Sequence, residues 1–237
     1  MDVERRLERL CEQVRLVDGV GSRWRGELCI MSFVALLGGE RHTDKPVSAS
    51  PLVRSLATRV NDTMPWDVRQ RLKPFAARML GTNDGCDRAR VEVLRRALAE
   101  EIQPRIRRDW GDAGLAGPRC RVLFKASAST AGRDIETSVA LLVAELERAR
   151  LPAHEPRAGS ATGELLARCM REATTREQRS WYWDEAIGLL DRLCDVGAES
   201  RTEAVRQVRI AAAEERLGGA WLKGALRRMP VLATCRS

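Results

Sequence analysis

Residues 28–37 read LCIMSFVALL, an apolar run interrupted by a single serine and by no charge. It is about half the length needed to span a bilayer, so it reads as a core segment. A segment apolar on nearly every side belongs at the centre of a helical bundle. Gly19 and Gly21 break the chain upstream, which sets the expected helix at Arg23 to Leu37. A buried strand is the alternative: Met31, Ala35, Leu36 and Leu37 favour the helix, whereas Phe33 and Val34 suit either.

On the N-terminal side, Val3, Leu7, Leu10, Val14 and Val17 recur at spacings of four and three among Glu and Arg. This is an amphipathic helix. Its two heptads fall short of a coiled coil, so it should pack against its own chain. On the C-terminal side, residues 38–50 (GGERHTDKPVSAS) form a polar loop, and Ser50-Pro51 supplies an N-cap and an N1 proline for a helix carrying Leu52, Val53, Leu56 and Val60 inward. Pro65 and Pro74 divide residues 65–80 into two short pieces bent at Pro74. A helix over 86–102 turns Val91, Leu94, Leu98 and Ile102 inward, and Pro104 kinks or ends it.

Residues 111–133 are rich in Gly, Ala and Ser around Val122-Leu123-Phe124 and read as a loop. A helix follows over 134–150, with Ile135, Val139, Leu142, Val143 and Leu146. Residues 151–163 (LPAHEPRAGSATG) hold two prolines and two glycines and read as a linker. Beyond it, helices are expected near 164–172, 176–196, 201–217 and 220–229, with a capping box at Ser200 and Glu203. The expected fold is all-α: an irregular orthogonal helical bundle over 1–150, the linker, and a smaller helical C-terminal part over 164–237. No internal repeat of fixed period is present.

Composition agrees with helix packing. Ten aromatics (six Trp, three Phe, one Tyr) stand against an apolar remainder of Leu, Ala and Val, which disfavours an all-β fold. The net charge is +8, and Lys45, Lys73, Lys125 and Lys223 are the only lysines among 41 basic residues. Both halves of the chain mix the two signs, so the excess reads as compositional, in keeping with arginine-favouring codons, unless folding gathers it on one face. Seven dispersed cysteines without a CxxC, and only two histidines, argue against a disulfide framework and against zinc. The charged start MDVERRLERL lacks the order of a signal peptide, so a cytoplasmic location is expected.

Four constellations are candidates for function. Cys29, with His42 and Asp44 in the following loop, could form a Cys-His-Asp nucleophile, though capping and loop roles account for the same residues. Asn61-Asp62 and Asn83-Asp84 read as caps and turns rather than as metal ligands, and neither a GxxxxGK[ST] nor a GxGxxG loop accompanies them. Trp181-Tyr182-Trp183 is the one dense aromatic group; three successive helical residues cannot all face a core, so one ring should be available as an interface anchor. Arg95, Arg96, Arg105, Arg107 and Arg108, with Trp110 among them, form the most basic stretch and a possible nucleic-acid contact. A C-terminal helix-turn-helix fits poorly, because Glu214 takes the place of the small residue before a double-glycine turn.

The leading expectation is a non-catalytic helical adaptor or assembly subunit of a larger bacterial complex, acting through protein contacts with a partner or with copies of itself. No cofactor, metal or membrane contact is expected. The alternatives are a subunit that touches nucleic acid through arginines on a helical face, and an enzyme of Cys/His hydrolase type.

Overall fold

The computed structural model describes residues 3–111, 130–200 and 213–218. The expectations placed on Val122-Leu123-Phe124, on Glu203, on the 201–212 part of the helix expected over 201–217, and on the helix over 220–229 lie outside them. The chain is an all-α helical bundle with one small sheet at its N-terminal end.

Helix α1 (Val3–Gln13) leads directly into the sheet. The strands are β1 (Arg15–Leu16), β2 (Gly21–Ser22) and β3 (Glu27–Leu28), in the order β1-β3-β2, with β1 parallel and β2 antiparallel to β3. The helix expected from Arg23 therefore begins later. Gly26 lies in the left-handed region at φ 66°, and a β-carbon there would approach the Gln13 carbonyl oxygen to 2.7 Å. That close pass of backbone breaks the segment into a 3₁₀ turn (Arg23–Arg25) and β3 before helix α2 (Ile30–Leu37) starts.

All eight residues of α2 are buried, and Cys29 caps it, its sulfur accepting from the Ser32 amide at 3.2 Å. Asn61 closes the same junction from below. Its Oδ1 accepts from the Ile30 amide at 3.2 Å, and its Nδ2 donates to the Val17 carbonyl at 2.9 Å. Asn61 is thus a fully buried cap for a neighbouring helix.

Helix α3 (Pro51–Thr63) opens as the sequence indicates: the Ser50 hydroxyl accepts from the amides of Leu52 and Val53, with proline in the first turn. The two short pieces around Pro74 are α4 (Trp66–Arg69) with a 3₁₀ turn (Gln70–Leu72), and α5 (Phe75–Met79). Helix α6 (Asp87–Ala97) then runs through a π-helical turn (Leu98–Ile102) into α7 (Gln103–Trp110). Pro104 does not end this rod. The Gln103 amide bonds back to Leu98, five residues away, and the widened turn makes room for a proline that lacks an amide of its own.

Helix α8 (Thr130–Arg148) is followed by a 3₁₀ turn (Pro152–His154) and α9 (Glu155–Glu172). The expected linker is therefore mostly helix. Pro156 sits in its first turn, where a missing amide costs nothing, while Ala158, Gly159, Ala161, Thr162 and Gly163 are buried. The small residues serve helix approach: a β-carbon on Gly159 would lie 2.4 Å from the Leu52 carbonyl oxygen, and one on Gly163 would lie 2.8 Å from Arg59 Cβ. Helix α10 (Arg176–Asp195) opens with a capping box between Thr175 and Gln178. Leu165, Leu166 and Cys169 of α9 and Leu189, Leu190 and Leu193 of α10 join α2 and α3 in one continuous core, which crosses residue 150 without a break.

Candidate functional site

The most closely organised polar and aromatic group joins the end of α7 to the start of α10. Asp109, whose side chain is 4% exposed, accepts from Arg105 Nε at 2.9 Å and from the Tyr182 hydroxyl at 3.0 Å. The Arg105 guanidinium lies 5.1 Å from the centre of the Trp181 ring. Tyr182 stands edge-on to Trp181 at 5.0 Å and tilted against Trp110 at 5.6 Å. Burial first, then the neighbouring Cys169 and Asp109, push the Tyr182 hydroxyl well above its ordinary range, so it stays a proton donor.

Folding thus merges two groups that stand apart in the sequence, the aromatic run and one of the arginines. It also turns the aromatics inward. Tyr182 is fully buried and Trp183 nearly so, and neither offers a ring to solvent; Trp181 is half-buried beneath Arg105. The reason is that α10 is sandwiched between α9 and the α6–α7 rod, so adjacent positions on it can face different neighbours.

One turn further along α10, Glu185 is buried against the π-helical turn. Arg192 Nη2 donates to Glu185 Oε1 at 2.7 Å, and Arg192 Nη1 lies 3.3 Å from Glu101 Oε2. Burial raises the Glu185 carboxyl to about 7; Arg192 opposes the rise, and Glu101 reinforces it. Two carboxyls bridged by one guanidinium can hold a proton near neutral pH. Glu185 could have been suspected from the sequence: it lies three residues after Tyr182 and four before Leu189, on the inward stripe of its helix.

The remaining arginines divide. Arg95 turns to the backbone and donates through Nη2 to the Leu146 carbonyl. Arg96, Arg107 and Arg108 are exposed. Cys29, His42 and Asp44 have separate tasks, and no hydrogen bond joins them. Cys29 is buried under the first turn of α2, and burial pushes its thiol up. His42 is exposed, with Nε2 3.4 Å from the Gly21 carbonyl oxygen. Asp44 lines an open polar cleft of about 340 Å³ with Lys45, Arg54, Thr58 and Arg59.

Arg90 is the ion that sequence reasoning missed. It is completely buried, and all its nitrogens are occupied: Nε donates to the Leu193 carbonyl, Nη1 to the Thr82 carbonyl, Asp84 and Asp87, and Nη2 to Asp84 and the Val196 carbonyl. For Asp84 burial works against the charge, yet the bonds from Arg90 outweigh it and hold the carboxyl below its ordinary range. Asp84 is thereby a turn residue as its sequence suggests, and also a structural counter-ion.

Among the described residues, no group of three or more His, Cys, Asp or Glu could hold a metal ion, and no helix is long and apolar enough to cross a membrane. No protein-family model matches the chain, and neither a curated protein nor a solved structure is found to be similar to it.

Proposed function

We propose that the protein is a helical adaptor or assembly subunit that works through protein–protein contacts. The observation that carries this reading is the middle of α8. Residues 137–144 read TSVALLVA and carry no charge on any side of the helix. Val139 and Leu142 face inward, where α9 covers them, while Leu141 remains 50% exposed and Val143 42% exposed. Thr137 and Ala140 lie outward on the same side as Leu141, at spacings of four and one, whereas Val143, two residues on, flanks the opposite side of the helix. Two turns of uncharged helix facing away from the core give a partner helix an apolar strip to bury, and the charged Glu136, Glu147 and Arg148 bound it.

The test compares wild type with Ala140→Glu/Leu141→Glu. Light scattering after gel filtration reports self-association, and cross-linking in native cell extract reports other partners. The expected result is association by the wild type that the double variant loses while its circular dichroism and Tm hold. Equal association by both proteins, or none by the wild type, would overturn the reading.

A second reading, contact with nucleic acid, is favoured by Arg96, Arg107 and Arg108, which are exposed on the continuous rod from α6 to α7. It requires affinity for a labelled strand that falls steeply with salt and that charge reversal at the three arginines removes; a flat salt response would exclude it.

A further inference from the structure

The turn that ends α2 brings two guanidinium groups to one place, and among the described residues no carboxylate is hydrogen-bonded to Arg23 or Arg216. Gly39 adopts φ +73°, and its amide and that of Glu40 are spent on the α2 carbonyls of Leu36 and Ala35. The Arg216 guanidinium lies over Gly39, so close that a β-carbon there would come within 3.2 Å of Nη1 and 3.6 Å of Nη2. Arg23 reaches the same turn from the sheet side. Its Nη2 approaches the Glu40 carbonyl oxygen at 3.4 Å, and its Nε is buried without a hydrogen-bond partner.

Two nearby carboxylates, Glu40 and Glu214, are engaged elsewhere. Glu40 accepts from the amides of Val47 at 2.8 Å and Ser48 at 3.0 Å. Glu214, on the same short helical segment as Arg216, is held by Arg6. Arg41 and His42, both exposed, follow the turn in sequence and add to its positive character; Glu215 is exposed beside Arg216 in sequence. Burial first, and Arg216 second, lower the basicity of the Arg23 guanidinium. Among the described residues no carboxylate is bonded to Arg23, and a guanidinium with a cation beside it and an unpartnered Nε is suited to receive an anion.

We propose that Arg23 and Arg216 form an oxyanion site over the Gly39 turn, and that its ligand is a phosphate group, free or as a monoester. A carboxylate presents one edge and is satisfied by a single guanidinium fork. A phosphate presents several oxygens and close to two charges, and so engages both forks at once. The glycine gives the Arg216 guanidinium room to lie against the turn, where a side chain would push it away. This site lies apart from the strip on α8 and does not depend on it.

Binding is measured by calorimetry and by thermal unfolding, with inorganic phosphate titrated through the millimolar range at constant ionic strength and sodium acetate as the matched control. Phosphate should raise Tm in a concentration-dependent way where acetate does not, because a ligand held by the folded state alone stabilises it. Arg216→Gln should weaken phosphate binding about tenfold or more, the effect of losing one charge-assisted pair. Arg23→Gln should do the same, and Arg216, on the surface, keeps the test valid if the Arg23 change disturbs the sheet. Methyl phosphate binding as tightly as inorganic phosphate would support an esterified ligand; markedly weaker binding would support free phosphate. A Tm response equal in phosphate and acetate, or wild-type affinity in Arg216→Gln, would overturn the proposal.

Discussion

Replacing Glu185 by Gln should make the protein more stable above neutral pH and leave it nearly unchanged in mild acid. Glu185 is a carboxyl whose folded-state pKa, about 7, lies above its ordinary value of 4.5. The folded state therefore binds this proton more tightly than the unfolded chain does. The stability it contributes is complete below about pH 4.5 and is lost as the pH rises through 7. The gap of about 2.5 pH units corresponds to about 3 kcal/mol, most of it falling between pH 5 and pH 8. No large discount for solvent applies, since the Glu185 side chain is 8% exposed. Glutamine mimics the protonated carboxyl: its oxygen still accepts from Arg192, and its amide can donate to Glu101. Urea unfolding followed by far-ultraviolet circular dichroism, for both proteins at each pH from 5 to 8, isolates the contribution of Glu185 and its partner Glu101, because titrating groups that do not touch them cancel in the difference. That difference should grow by about 2–3 kcal/mol in favour of the variant. A difference that is constant with pH, or that moves against the variant as pH rises, would mean that the Arg192 ion pair outweighs burial, and the account of the site would be wrong. Glu101→Gln should flatten the wild-type slope in part, since Glu101 is one of the groups that raise Glu185.

Four more outcomes follow from the packing. Arg90→Met should cost about 3–5 kcal/mol in urea unfolding, because it strands the carboxylates of Asp84 and Asp87 in the core; adding Asp84→Asn should recover part of the loss, and a cost under 1 kcal/mol would show that Arg90 is not buried as described. Gly159→Ala should destabilise by about 1–3 kcal/mol, since its β-carbon meets the Leu52 carbonyl oxygen at 2.4 Å and the Ser55 hydroxyl at 2.6 Å. Gly188→Ala, which meets nothing closer than an Arg192 nitrogen at 3.9 Å, should instead stabilise by about 0.5–1 kcal/mol, so an equal effect at both positions would contradict the α3–α9 crossing. Cys29 should resist iodoacetamide in the native protein and react once it is unfolded; rapid native labelling at that thiol would reopen its candidacy as a nucleophile.

The sequence discloses helices wherever the apolar period is regular and the ends are marked. Ser50-Pro51 opens α3 where it should, and the pair of prolines at 65 and 74 splits its segment as expected, because each signal acts through its own backbone. The same locality explains where reading fails. Nothing within residues 23–26 reveals that Gly26 must pass the Gln13 carbonyl, so a helix is expected where a strand forms. Of the candidate site, the aromatic run and Arg105 are visible separately, and their union through Asp109 depends on how α7 meets α10. Glu185 and Arg90 leave a weak trace, a charge set on an apolar stripe. Their partners Arg192 and Asp84 can be assigned only once the fold is known.

The segment 151–163 shows most clearly how one composition serves two physical ends. Proline, glycine, serine and alanine in succession signal a linker because each resists regular structure or has little to bury. Position and spacing decide otherwise here. Pro156 stands in the first turn of α9, where the amide it lacks has no partner to lose, and Gly159 and Gly163 recur at an interval of four. A helix stripe of small residues at that spacing does not avoid packing; it permits the closest packing, and in this protein it lets α9 approach the backbone of α3 at Leu52 and the stem of Arg59. The cost of two glycines in a helix, about 1 kcal/mol each, is offset by contacts that alanine would forbid. A glycine-rich stretch that begins with a proline and repeats at four is therefore better tested as a helix crossing before it is taken for a boundary, and the opposed responses expected of Gly159→Ala and Gly188→Ala are that test.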